Sequence, residues 1–177
     1  MNKNERTLTL CPGCSLTVPD QGLDPAERFN ASGECLKMFY DLTSWTIVQQ
    51  DNRFIHQHAV DAYEAQHAGG KTRPITVSFG LIGLYLALEK GFTGRQVQLA
   101  HIKIGRTKWD WLLLEPPEHP AKLTVMDVLQ VADREKEKML MLWAGSVWQS
   151  WEPRHQWVRE ITAKVLFGDK NDCSQRF

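Results

Sequence analysis

Cys11-Pro12-Gly13-Cys14 places two thiols one tight turn apart, and Cys35 follows 21 positions after Cys14. Thiolates and imidazoles are the ligands zinc prefers, four of them in a tetrahedron when the site is structural. Two cysteines separated by two residues can reach one ion because the turn between them gathers both sulfurs. Pro12 presets one turn angle, and Gly13 is free to take a positive φ. Three thiols leave one place open. Cys173 stands alone in a polar C-terminal stretch and reads as a free thiol, so the fourth ligand is expected from a histidine.

His56, His58 and His67 fall on one predicted helix. His58 and His67 are nine residues apart, about 13.5 Å at the helical rise, too far to share an ion, and His56 is farther still. At most one of the three completes the site. His67, beside the Gly69-Gly70 break and on the packing face, is preferred. A dithiol redox centre is the competing use of C-x-x-C, but it wants the pair at the start of a helix that follows a strand. Ser15-Leu16-Thr17-Val18-Pro19 is a poor helix start. The expected set is Cys11, Cys14, Cys35 and His67 around a zinc ion.

Residues 60–67, VDAYEAQH, carry a second kind of chemistry. An aspartate and a histidine on neighbouring faces of a helix can orient a metal or move a proton. His58, Asp61 and Tyr63 are therefore the catalytic candidates, should the ion keep one position open for water. The plainer reading is a helix packed on both sides, its polar groups bonded to loops and backbone. Trp143, Val147 and Trp151 recur at four-residue steps with Trp148 beside them. Such a stripe is a core face before it is the wall of an apolar ligand pocket.

Helices must position these groups. Ser32 is placed to cap one starting near Gly33-Glu34, in which Cys35, Met38, Phe39, Leu42 and Trp45 form an apolar stripe. Cys35 then lies in the first turn, where the helix dipole favours a thiolate. The next helix is expected from about Phe54 to His67. Ile55, Ala59, Val60, Ala62 and Tyr63 face inward, His56 and His67 lie at the stripe's edge, and His58 and Asp61 point the other way with Phe54 and Ala65. A third, from Pro74 to Lys90 with Gly91 as its cap, is apolar nearly all round, and Gly80 and Gly83 permit close helix contact. Residues 92–123 show no sustained period and contain the Pro116-Pro117 loop. Thr124 with Asp127 caps a further helix, and helices from Glu135 to Trp151 and from Pro153 to Phe167 complete the set.

At 177 residues, 42% of them hydrophobic, with seven tryptophans, the chain is long enough for one domain with a proper core. The division expected is a loop-rich knuckle over 7–35, a helical body over 36–167 and a tail over 168–177. Lys plus Arg and Asp plus Glu are both 21, with no basic stripe, which argues against a phosphate backbone as partner. No apolar segment follows Met1-Asn2-Lys3-Asn4-Glu5-Arg6, and the run Ile75 to Leu88 is too short and too interrupted to span a bilayer. The expected compartment is the cytosol, where thiols stay reduced and C-x-x-C serves a metal before a disulfide.

CPGC near the start, Asn30 to Cys35 with its Glu-Cys pair, VDAYEAQH, Trp-Leu before Pro-Pro, and WAGSVWQSW over 143–151 resemble an uncharacterised bacterial domain family with CPxCG, Glu-Cys, VDAYxxQH and WAxxVWxxW motifs. The resemblance runs from about residue 10 to 160 and departs at Ser15, where the family pattern has Gly. It implies a shared fold and a shared site, not a reaction. The expectation is a mainly α protein of five or six helices, with a structural zinc and a body that binds a small molecule or a protein. The alternative is a small zinc enzyme with its pocket at VDAYEAQH.

Overall fold

In the computed structural model, which describes residues 7–168, an antiparallel hairpin of β1 (Leu8–Leu10) and β2 (Thr17–Pro19) precedes seven α-helices. These are α1 (Gly33–Val48), α2 (His56–Gln66), α3 (Pro74–Leu88), α4 (Gly94–Ile104), α5 (Val125–Gln130), α6 (Asp133–Ser150) and α7 (His155–Phe167). The protein is mainly α, as the hydrophobic spacing implies. Cys173 lies outside the described residues.

Helix α2 is the hub, touching α1, α3, α4 and α6. Its closest neighbour is α3, whose glycines bring two backbones together. A Cβ on Gly80 would stand 2.7 Å from the Asp61 carbonyl oxygen and 2.8 Å from the Ala65 nitrogen. Helix α3 is buried almost continuously from Val77 to Ala87, as its all-round apolar sequence requires. Trp143 and Trp151 are fully buried between α6 and α2, in one apolar cluster that runs from Cys11 to Leu166.

Three expectations are corrected. First, α4 forms where no regular element is expected, giving seven helices rather than five or six. Its inner stripe, Val97, Ala100 and Ile104, is masked in the sequence by Leu99 and Ile102, which are exposed. The overlooked signal is its capping box: the Thr93 hydroxyl accepts from the Gln96 amide while Gln96 Oε1 accepts from the Thr93 amide at 2.8 Å. Second, α2 begins two residues later than Phe54, because Phe54 has φ 57°, a left-handed conformation that no α-helix accommodates. Third, His58 and Asp61 do not face outward: they are only 6% and 0% exposed. Pro153 lies in a 3-10 turn, Glu152–Arg154, that leads into α7.

Candidate metal centre

The hairpin presents the first two ligands. Its turn closes with the Cys11 amide on the Leu16 carbonyl at 2.8 Å and the Ser15 amide on the Cys11 carbonyl at 2.9 Å. Gly13 serves this turn differently from the expectation. It does not have a positive φ; its missing side chain leaves room, since a Cβ there would lie 2.3 Å from the Asn30 carbonyl oxygen and 2.7 Å from His67 Cδ2. The left-handed residue is Ser15, at φ 61°. Glycine is the residue that adopts such a φ without steric cost.

Cys35 arrives in the first turn of α1. The Ser32 hydroxyl caps that helix, accepting from the Cys35 amide at 3.2 Å. The preceding residue, Glu34, is buried and holds the incoming loop: its Oε1 accepts from the Gln21 amide at 3.1 Å and the Leu23 amide at 3.3 Å. Burial pushes the Glu34 pKa up, but its own amide and those of Gln21 and Leu23 outweigh it and hold the carboxylate below its usual range. His67 is the C-cap of α2, at φ −102° and ψ 40°, where the chain leaves the helix.

The four donor atoms of Cys11, Cys14, Cys35 and His67 all lie within 4.8 Å of one another, and all four residues are buried. Cys14 Sγ and Cys35 Sγ are 3.8 Å apart, and Cys35 Sγ is 3.3 Å from His67 Nε2. Ligands at zinc bond lengths in a tetrahedron would be separated by about 3.8 Å for two sulfurs and about 3.6 Å for sulfur and nitrogen. Both spacings are close to those of a tetrahedral ion, and the donor set fits one. His67 Nδ1 lies 2.9 Å from the Tyr63 carbonyl oxygen, so Nδ1–H donates there and Nε2 is left as the ligand.

The electrostatics agree. Hydrogen bonding with the neighbouring Cys14 and Cys35 thiols pulls the Cys11 pKa well down. Cys14 is pushed up to about 12 and Cys35 also upward, because ionising either adds a second anion to the same buried volume. A divalent cation removes this conflict and holds all three as thiolates.

An outer layer fixes the ligands. The Thr72 hydroxyl donates to the His67 carbonyl and accepts from the Asn30 amide at 2.8 Å, and Asn30 Nδ2 donates to the Ala68 carbonyl at 3.0 Å. Gly69 and Gly70, both at positive φ, fold the chain over the Asn30 side chain. Tyr63 stacks on Phe39 at 4.0 Å and sets its hydroxyl 3.8 Å from Cys35 Sγ. Thr72 had no signal in the sequence, since nothing in its neighbourhood distinguishes it from a loop threonine.

The remaining candidates are dispersed. Tyr63 faces Cys35, whereas Asp61 points into the α2–α3 seam, where a Cβ on Gly83 would come 2.1 Å from its Oδ2. Burial lowers the His58 pKa to about 4, with Arg53 adding to the effect, and its Nδ1 has no partner. Gln66 joins two motifs: its Oε1 accepts from Trp143 Nε1 at 2.8 Å and its Nε2 donates to the Leu123 carbonyl at 2.8 Å. Trp151 Nε1 donates to the Ala65 carbonyl at 3.2 Å. The tryptophan stripe is thus core, docked on VDAYEAQH through the polar edges of its rings.

No curated protein and no solved structure matches the chain. One family does, and it matches over the hairpin, all four donor residues and the tryptophan helix: by residues 9–152 the chain belongs to a family of unknown function (DUF5946).

Proposed function

We propose that the chain is a zinc protein whose ion is structural, with a helical body that serves as a binding or regulatory module in the cytosol. The observation that carries this reading is a complete set of four protein donors, three thiols and one imidazole, all buried within 4.8 Å of one another. Such a set leaves no position for a water to be activated, which supports a structural ion over a catalytic one. The ion would supply a cross-link between the hairpin, α1 and the end of α2. Concave surface on the body supports the binding role: a cleft of about 540 Å³ lies between Pro120, Ala121 and Leu123 on one side and Leu142 and Ser146 of α6 on the other. No helix among the described residues is long and apolar enough to cross a membrane.

Metal analysis of protein purified without added metal tests the site. One zinc per chain is expected, lost in Cys11→Ser. X-ray absorption should count three sulfurs and one nitrogen. An exchangeable oxygen in the first shell would overturn the structural assignment, and retention of full zinc by Cys11→Ser would overturn the ligand set.

A further inference from the structure

Asp61 is fully buried and takes no part in the metal centre. Its carboxyl group is received by a gap in α3 that exists only because residue 83 is glycine. Among the described residues it has one hydrogen bond, from Gln57 Nε2 to Oδ1 at 2.9 Å, and Oδ2 has no partner. The same amide nitrogen lies 3.3 Å from Nδ1 of His101 on α4, and that Nδ1 is 3.8 Å from Asp61 Oδ1. An amide NH2 has two protons to give. Directing one to Asp61 and the other to His101 Nδ1 makes that nitrogen an acceptor, so the imidazole is neutral with its proton on Nε2.

The groups facing Asp61 offer a carboxylate no support. From α3 comes no charged residue at all along Pro74–Leu88. From α4 comes His101, whose ring lies against Phe79. On α2 itself, Glu64 is of the same sign when ionised, and burial raises its own pKa to about 7. Helices α1 and α6 meet other faces of α2, through Tyr63 against Phe39 and Gln66 against Trp143. A buried carboxylate with one hydrogen bond and no cation costs several kcal/mol, and such a group takes up a proton instead.

We infer that Gln57, Asp61 and His101 form a buried proton-binding site in which Asp61 is held as the neutral acid, and that removing this proton loosens the α2–α3 seam. The site is a proton-sensitive latch on the helix that ends in His67. Burial favours the neutral form of both partners, which fits this assignment: the Asp61 pKa lies well above the carboxylate range, and that of His101 is lowered to about 4. The inference does not depend on which metal the cysteines hold.

Asp61→Asn tests it, because the amide copies the neutral acid and cannot ionise. In urea unfolding from about pH 4 upward, the wild type should lose stability relative to Asp61→Asn as pH rises, by up to tenfold in the unfolding constant per pH unit, until Asp61 ionises in the folded protein too. At about pH 4 and below, where the carboxyl is largely protonated in the unfolded chain as well, the two should agree within a few-fold. Parallel pH curves, or a variant weakened equally at every pH as if an ion pair had been cut, would overturn the proposal. Should Asp61→Asn fail to fold, the carboxyl carbon of Asp61 in 13C-labelled wild-type protein reads the proton directly. A neutral-acid shift persisting at neutral pH is expected, and an ionised shift there refutes the site.

Discussion

Gly13→Ala concentrates the geometry of the metal centre into one methyl group. The new Cβ would lie 2.3 Å from the Asn30 carbonyl oxygen and 2.7 Å from His67 Cδ2. An ordinary Cβ contact begins at 3.4 Å, so the carbonyl must retreat by about 1.1 Å and the ring by about 0.7 Å. Neither is free to do so. Asn30 is pinned through its amide to Thr72 and through its side chain to Ala68, while the His67 ring is held by the Tyr63 carbonyl. A ligand displaced by more than about 0.2 Å leaves the range of good metal geometry. Overpacking of this kind costs about 1–3 kcal/mol, and disturbing the layer behind a ligand lowers metal affinity about 10–100-fold. Competition with a chromophoric chelator at neutral pH measures that affinity. Gly145→Ala is the control: a Cβ there meets nothing within 4 Å, and in the middle of α6 the change should add about 0.5–1 kcal/mol of stability. Zinc held by Gly13→Ala within twofold of the wild type would refute the view that close approach, rather than turn conformation, is what this glycine supplies.

Other substitutions probe neighbouring parts of the design. Ser15→Gly should stabilise the protein by about 0.5–1 kcal/mol in urea unfolding, since it relieves a left-handed serine at a smaller entropic cost, while Ser15→Ala should give no gain. Glu34→Gln should lower stability by about 1–3 kcal/mol at neutral pH. Because the folded pKa of Glu34 lies below its ordinary 4.5, the difference from wild type should be full above that pH and shrink as pH falls through the folded value. Gln66→Ala strands both Trp143 Nε1 and the Leu123 carbonyl, and at about 1–2 kcal/mol for each buried group should cost about 2–4 kcal/mol, read as a lower urea midpoint.

The ligand set was legible because its chemistry is local. C-x-x-C announces itself, Ser32 marks the helix that carries Cys35, and helical rise alone excludes two histidines sharing one ion. The structure brings His67, and neither His56 nor His58, to the three thiols. What escaped was set by contacts between distant segments. Gly13 looked like a turn residue, yet its role depends on Asn30 and His67, which no spacing rule connects to it. The outward assignment of Asp61 and His58 failed because a helical wheel gives α2 one buried face, whereas four neighbouring helices cover more of it, the side of Asp61 and His58 included. Helix α4 escaped because its exposed Leu99 and Ile102 blurred the stripe that Val97, Ala100 and Ile104 would otherwise have drawn.

All four donors fall within residues 11–67, ahead of α3 in the chain. A chain leaving the ribosome therefore presents the whole ligand set before most of its helical body has been made. Trp143 and Trp151 emerge much later and dock on Gln66 and Ala65, within two residues of His67. Metal capture can come first in the order of synthesis, so that the C-terminal half meets an α2 whose end is already anchored.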